Sequence, residues 1–283
     1  DIFVANQFIA ESRFSRKNNT TVTRFERDRI STSSAGIDLY QYFNSHWNAN
    51  TGIELYTDRV YSERKENNTS TGVNTLLRGL YPDGARYANI AAYTLHHYQI
   101  GKLQLEAGMR YNRYIATINE ATLGKVILKP HALVFQGGAN YELLNAVYLY
   151  ANISDGFRAP NIDDLAKIFE SSTIARQVVV PNANLRPEFT HGFDAELVRV
   201  LGKSIEFEVG AFYTDFSNAI IKAPFSLNGK DSINYNGVQS QVLASQNVNR
   251  AYVLGGNFRL TVKAGKNWKF NSTFNFTKGR FKT

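Results

Sequence analysis

Few groupings of residues in this chain have the types and spacing for chemistry. Gly202-Lys203-Ser204 has the ending of a phosphate-binding loop, in which glycine-rich backbone cradles phosphate and a lysine reaches it. That motif needs another glycine at position 197, which is Leu, and a helix afterwards, where Ile205 to Tyr213 alternates as a strand. His96-His97 has the residue type of a metal site, but neighbours on a strand point to opposite faces and cannot share an ion. Asp163-Asp164, with Asp155 nearby, offers hard oxygen donors of the kind that hold Ca²⁺, although acids in a polar loop are commonly just solvated. No Ser/His/Asp spacing stands out, so catalysis has no positive support, and neither an enzyme nor a cofactor is expected.

The elements that would position these groups are strands. Aromatic residues make up 13%, with 16 Tyr and 19 Phe, against one Met and no Cys. That is a β-sheet composition, without disulfides or thiolate metal sites. No apolar run approaches the roughly 18 residues of a membrane-spanning helix. A transmembrane barrel stays open, because lipid-facing and lumen-facing residues alternate and keep the mean hydropathy, here −0.32, near that of a soluble protein. The net charge of +8 is dispersed rather than gathered into a phosphate-tracking patch, which argues against nucleic acid.

Period-two alternation recurs along the chain. Leu103, Leu105, Ala107, Met109 and Tyr111 form one face of a segment whose other face is Gln104, Glu106, Gly108, Arg110 and Asn112. Trp268, Phe270, Phe274 and Phe276 alternate with Lys269, Asn271, Thr273 and Asn275. Several such segments exceed ten residues, closer to tilted transmembrane strands than to the ~5–6 residues usual in soluble sheets. Short turns at Lys17 to Thr20, Asn44 to Asn48, Gly101-Lys102, Asn145-Ala146, Gly202-Lys203 and Gly265 to Asn267 are expected to alternate with long polar connections at 27–35, 61–86, 118–128, 157–188 and 217–248. Short periplasmic turns and long external loops produce such an alternation, and Trp47, Tyr98, Tyr141, Trp268 and Phe270 beside the short turns suit an interfacial girdle or ordinary hairpin packing. The expectation is about twelve antiparallel strands in one unit over 1–283, with a possible helical turn at Ile162 to Phe169.

The segment from Val147 resembles the paired signature of TonB-dependent outer-membrane receptors of the Bacteroidetes type. A strand ends in Gly156, Phe157, Arg158, Ala159, Pro160, a loop follows, and a second box reads Asn182, Ala183, Asn184, Leu185, Arg186, Pro187, Glu188, with Ala183 where the family more often has Pro. Residues 103–114 and 47–64 also look like strands of that family. The resemblance implies an all-β, antiparallel barrel of 22 strands around an N-terminal plug, in the cell outer membrane. It further implies import of a scarce nutrient, energised by the TonB complex acting on the plug. Plug and TonB box are not in this sequence, and the expectation is an internal stretch of barrel wall.

The partners so implied are TonB, membrane lipid and an extracellular small molecule. Ferric siderophores or similar iron chelates come first by family frequency, beside vitamins, sugars and peptides. Heme-importing relatives place a His between the boxes; Asn161 to Pro181 holds none, and His191 lies beyond the second box. Arg158 and Arg176, with the lumen residue Arg110, can attract an anionic chelate because a narrow cleft focuses charge. Asn161 joins them as a candidate contact, and Arg158 has the alternative role of ordering its own loop. The rivals are a passive porin, an outer-membrane enzyme and a soluble adhesin.

Overall fold

The structure is a computed structural model and describes residues 1–120, 124–166, 169–172, 176–235 and 237–282. Eleven long strands form one antiparallel wall, in line with the dozen or so expected. They are β1 (Ile2–Arg16), β2 (Val22–Asn44), β3 (Trp47–Asn68), β5 (Ala85–Ile100), β6 (Leu103–Glu120), β8 (His131–Leu144), β9 (Val147–Arg158), β12 (Glu188–Leu201), β13 (Ile205–Pro224), β15 (Val238–Ala264) and β16 (Trp268–Lys282). Each pairs antiparallel with the next. Short pieces hang on its upper end: β4 (Asn74–Arg78) on β3, β7 (Gly124–Leu128) on β6, and β14 (Ser232–Tyr235) on β15. The remaining elements, α1 (Ile162–Ala166), β10 (Phe169–Ser172) and β11 (Gln177–Val180), lie in the connection from β9 to β12.

The two faces differ as the alternation predicts. Ile2, Ile37, Ile53, Ala92, Tyr111 and Leu133 form one row across six strands by direct cross-strand pairing, and their large side chains stand 42–78% exposed. Soluble sheets bury such a row; here it is an apolar outer band. At the tight turns this face ends in aromatic side chains. Trp47 pairs with Tyr98, stacks on Phe43 at 4.1 Å between ring centroids, and donates its indole N–H to His96 Nδ1 at 3.1 Å. Trp268 and Phe270 stack at 6.1 Å. The turns need left-handed backbone, supplied by Gly101 (φ 57°), Gly202 (φ 59°) and Gly265 (φ 65°).

One expected connection is overturned. Residues 27–35 are not a loop, because β2 runs through them with unbroken register against both β1 and β3. The outer connection there is the tight turn at Lys17 to Thr20, so short and long connections do not alternate strictly. Arg27-Asp28-Arg29 and Ser31 to Ser34 read as loop because they are polar. The lumen face of a barrel strand and its outer end at the headgroup level both meet water, and polarity there does not oppose a strand. The other long connections are shorter than expected for the same reason: β13 runs to Pro224 and β15 starts at Val238, leaving 225–237 between them.

Core packing is confined to the upper, loop-bearing end. Val60, Ala85, Ala116 and Ile118 from the wall meet Ile162, Leu165 and Leu185 from the β9–β12 connection, all at most 8% exposed. A second cluster joins Val178 and Val180 of β11 to Val242 and Ala244 of β15. β11 lies parallel to β15, the one parallel pairing among the described residues, and a parallel pair requires a crossover connection. The chain therefore passes from β9 across the ends of β12, β13 and β15 before it returns to β12.

Candidate functional site

Both family boxes sit at the two feet of that crossing connection. Arg158 closes β9 and Glu188 opens β12, and the two are direct cross-strand partners. The guanidinium of Arg158 donates to Glu188 through Nε at 3.0 Å and again through Nη2, and to Asp164 Oδ2 through Nη1 at 2.6 Å. Glu188 Oε2 also accepts the backbone N–H of Ile220 in β13 at 3.1 Å. One ion-paired knot thus ties β9, α1, β12 and β13 together. Charge-assisted and multidentate bonds of this kind are the strong members of their class.

The start of α1 follows from sequence. Asn161 accepts the N–H of Asp164 at 2.9 Å, and Asp164 reaches back to the N–H of Asn161 at 3.2 Å, a reciprocal capping box. Leu165, one residue further, is fully buried under the wall. Asp163 hydrogen-bonds the Tyr81 hydroxyl, linking α1 to the β4–β5 connection, and this contact together with burial pushes the Tyr81 phenol well above its ordinary value. In the second box Leu185 fills the same upper cluster. Asn182 donates to the carbonyl of Ser245 at 2.7 Å and accepts from the N–H of Asn184 at 3.0 Å. Asn247 clamps Arg186 at both its N–H (2.8 Å) and its carbonyl (2.9 Å). Pro160 of the first box is fully buried.

Below the knot, the lumen face carries a polar network from four strands. Arg110 of β6 donates to Glu54 of β3 at 2.5 Å and to Asn112 at 3.0 Å, and lies 5.3 Å from the Tyr93 ring centroid. The Tyr93 hydroxyl donates to Asp38 of β2. Gly52 makes this reach possible, since a Cβ there would lie 2.5 Å from Tyr93 Oη and 2.8 Å from Asp38 Oδ1. Nearer the short turns, a cavity of about 470 Å³ is lined by polar groups including His97, Glu106, Asn140, Asn152 and Asp194.

The candidate contacts are distributed as follows. Arg158 and Asn161 belong to the knot at the loop base. Arg110 belongs to the wall network. Arg176 sits just before β11 with φ 49°, exposed and with no side-chain partner among the described residues. Arg158 and Arg110 are therefore separate from Arg176 in the fold, and both are already ion-paired. Asp163 and Asp164 spend their oxygens on Tyr81, Arg158 and Asn161, and no group of three metal-type side chains occurs among the described residues. His96 and His97 lie on opposite faces, on Trp47 and on Glu106 (3.2 Å) respectively, and Gly202-Lys203-Ser204 is a hairpin turn. His191 pairs with Asp155 at 2.7 Å. Glu54, Tyr93 and Asp38 escape sequence reasoning; the glycine at position 52, inside a strand opposite a tyrosine, is the signal that points to them.

No curated protein matches the sequence. Among solved structures, the chain is similar to the copper transporter OprC (TM-score 0.73, 14% identity), covering 99% of this chain and 43% of that one. It is similar to the hemophore receptor HasR of Serratia marcescens (TM-score 0.68, 15% identity, 100% and 49%) and to the ferric yersiniabactin uptake receptor FyuA of Yersinia pestis (TM-score 0.65, 12% identity, 99% and 40%). The chain thus spans less than half of each of these structures, and at such identities they share its fold. The family described as TonB dependent receptor-like, beta-barrel matches residues 3–283, nearly the whole chain. With its outward apolar band and paired boxes, this chain belongs to the TonB-dependent receptor β-barrel family and forms outer-membrane barrel wall.

Proposed function

We propose that the whole protein is an active importer that captures an anionic metal chelate, most simply a ferric siderophore, and passes it inward when TonB acts on a plug seated in this wall. The observation that supports it best is the inward-folded connection from β9 to β12. A passive pore gains little from an external loop whose leucines are buried against the lumen wall, whereas a receptor gains a pre-formed rim over its ligand. Arg176 in that connection is exposed and has no side-chain partner among the described residues, in a chain of net charge +8, whereas Arg110 and Arg158 are neutralised by Glu54 and by Asp164 and Glu188. The cargo is bound and released rather than transformed, so differential affinity between the two plug states drives the cycle.

The test uses the full-length receptor in its own host. A strain lacking the gene should lose growth on one or more ferric siderophores as sole iron source, and lose it equally when TonB is inactivated. Uptake that persists without TonB would instead identify a passive pore. Growth unaffected on every iron chelate, with loss on a sugar, vitamin or peptide, would overturn the assignment of cargo alone.

A further inference from the structure

The outer face above the apolar band carries a row of arginines that the transport reading does not use. In β2 the lipid-facing parity set by Ile37 continues without register shift to Arg29 and Arg27. In β3 the parity of Ile53 and Leu55 continues to Arg59 and Tyr61, and in β5 that of Ile90 leads to Arg86. Arg59 and Arg86 are direct cross-strand partners, a like-charge pairing that is unfavourable by itself. Arg29 and Arg59 both lie over the Tyr61 ring, at 5.8 and 4.8 Å from its centroid. No carboxylate pairs with Arg29, Arg59 or Arg86 among the described residues, and Glu63 on the same face is held by Lys65 at 3.0 Å. Beside them a cavity of about 300 Å³ is lined by Arg27, Arg29, Tyr61 and Arg78 together with Glu63 and Asp83, the latter accepting the backbone N–H of Ser62 at 3.1 Å.

Their height fits the outer leaflet. Arg59 and Arg86 each lie twelve positions outward from an aromatic residue at the opposite interface, Trp47 and Tyr98 respectively. Twelve residues at ~3.3 Å, tilted by about 40°, rise roughly 30 Å, slightly more than the ~25 Å apolar band of an outer-membrane barrel. These guanidinium groups therefore stand at the headgroup level of the leaflet facing the outside. We propose that Arg29 and Arg59, seated on Tyr61, form with Arg86 a binding site for the phosphate groups of an anionic outer-leaflet lipid. The crowding of Arg29, Arg59 and Arg86, with which no carboxylate pairs among the described residues, is matched by phosphates of the lipid. Guanidinium is the side chain suited to that partner because its fork binds phosphate through paired N–H donors.

The experiment is a lipid titration of the purified full-length receptor in detergent, read by native mass spectrometry with diphosphoryl lipid A and its dephosphorylated form as probes. Wild type should prefer the phosphorylated form, and the triple variant Arg29→Gln, Arg59→Gln, Arg86→Gln should bind it about 100-fold more weakly, from about fivefold per arginine at an anionic surface. Lys203→Gln with Lys266→Gln, at the opposite end of the wall, should leave the preference intact. Equal binding of both lipids by wild type, or a triple variant that keeps its preference, would overturn the proposal. If the triple variant fails the heat-modifiability test of a folded barrel, Arg86→Gln alone carries the same prediction at about fivefold. Loss of lipid preference is independent of iron uptake, so this result and the transport result can fail separately.

Discussion

Two outer connections of this wall solve the same problem in opposite ways. The β1–β2 hairpin continues as paired strand to a tight turn at Lys17 to Thr20, with Phe14 72% and Val22 37% exposed. The connection from β9 to β12 crosses the ends of three strands to the far side of β15 and buries Leu165 completely and Leu185 to 6%. The first is held chiefly by its backbone ladder, with a few exposed polar bonds such as Thr20 to the Lys17 carbonyl at 2.9 Å and Ser33 to Asn6 at 2.6 Å. The second is held by side chains at identifiable points: an Arg–Glu knot, a capping box, two asparagine clamps and a leucine cluster. A strand extended into water keeps its conformation with almost any polar sequence. A loop folded back into a lumen needs particular residues at particular places, and that is why the second carries a recognisable motif and the first does not.

The comparison is broken most completely by removing the buried anchor. Leu165→Ala should cost about 2–4 kcal/mol of loop docking, the usual range for a fully enclosed leucine, and Leu165→Asp should abolish docking. Limited proteolysis of outer membranes would show residues 159–187 becoming cleavable while the wall keeps its heat-modifiable mobility. A loop no more cleavable than wild type would mean that the upper cluster does not hold it. Breaking the knot comes next. Glu188→Ala leaves Arg158 with Asp164 alone and strands the N–H of Ile220, a loss of about 1–3 kcal/mol. Arg158 is only partly buried, so the effect should fall short of that of Leu165→Asp, with the same protease readout and a parallel fall in uptake.

Much of this was legible from residues. Alternation in 103–114 gives both faces of β6, with Met109 51% exposed and Asn112 buried. The two boxes locate the feet of the crossing connection, and Asn161 to Asp164 could be read as a capping box from spacing alone. The misreading at 27–35 came from treating polarity as evidence of loop, which holds only where one sheet face must be dry. The lumen network was not legible, because Asp38, Glu54, Tyr93 and Arg110 come from four strands and sequence does not reveal their mutual register.

That network allows a sharper contrast between loop and wall. Gly52→Ala places a methyl where Tyr93 passes to Asp38, and should cost about 1–3 kcal/mol as the ring is displaced. The unfolding midpoint of the barrel in denaturant should fall, while cleavage of 159–187 in folded protein stays unchanged. If the loop were released as well, wall and loop would form one cooperative unit rather than two.

The smallest effect tests the upright hairpins by pH. At the top of β3, Glu66 accepts from Arg64 Nη2 at 2.5 Å and from Arg24 Nε of β2 at 3.0 Å, and the Arg64 bond holds its carboxyl below the ordinary carboxylate value. A depressed folded-state value means that this stabilisation is fully present above the unfolded carboxylate value of about 4.3 and is lost as pH falls through the lower folded value. Glu66→Gln should therefore weaken the β2–β3 tip by at most about 1 kcal/mol near neutrality, since the pair is partly solvated. Hydrogen exchange at Thr23 and Asn67 amides, followed from neutral to acid pH, should show wild type and variant converging below the ordinary carboxylate range. A gap that stayed constant into acid would mean that the tip is held by its strand pairing alone, which would make the upright hairpin still less dependent on particular side chains than the contrast with the folded loop already implies.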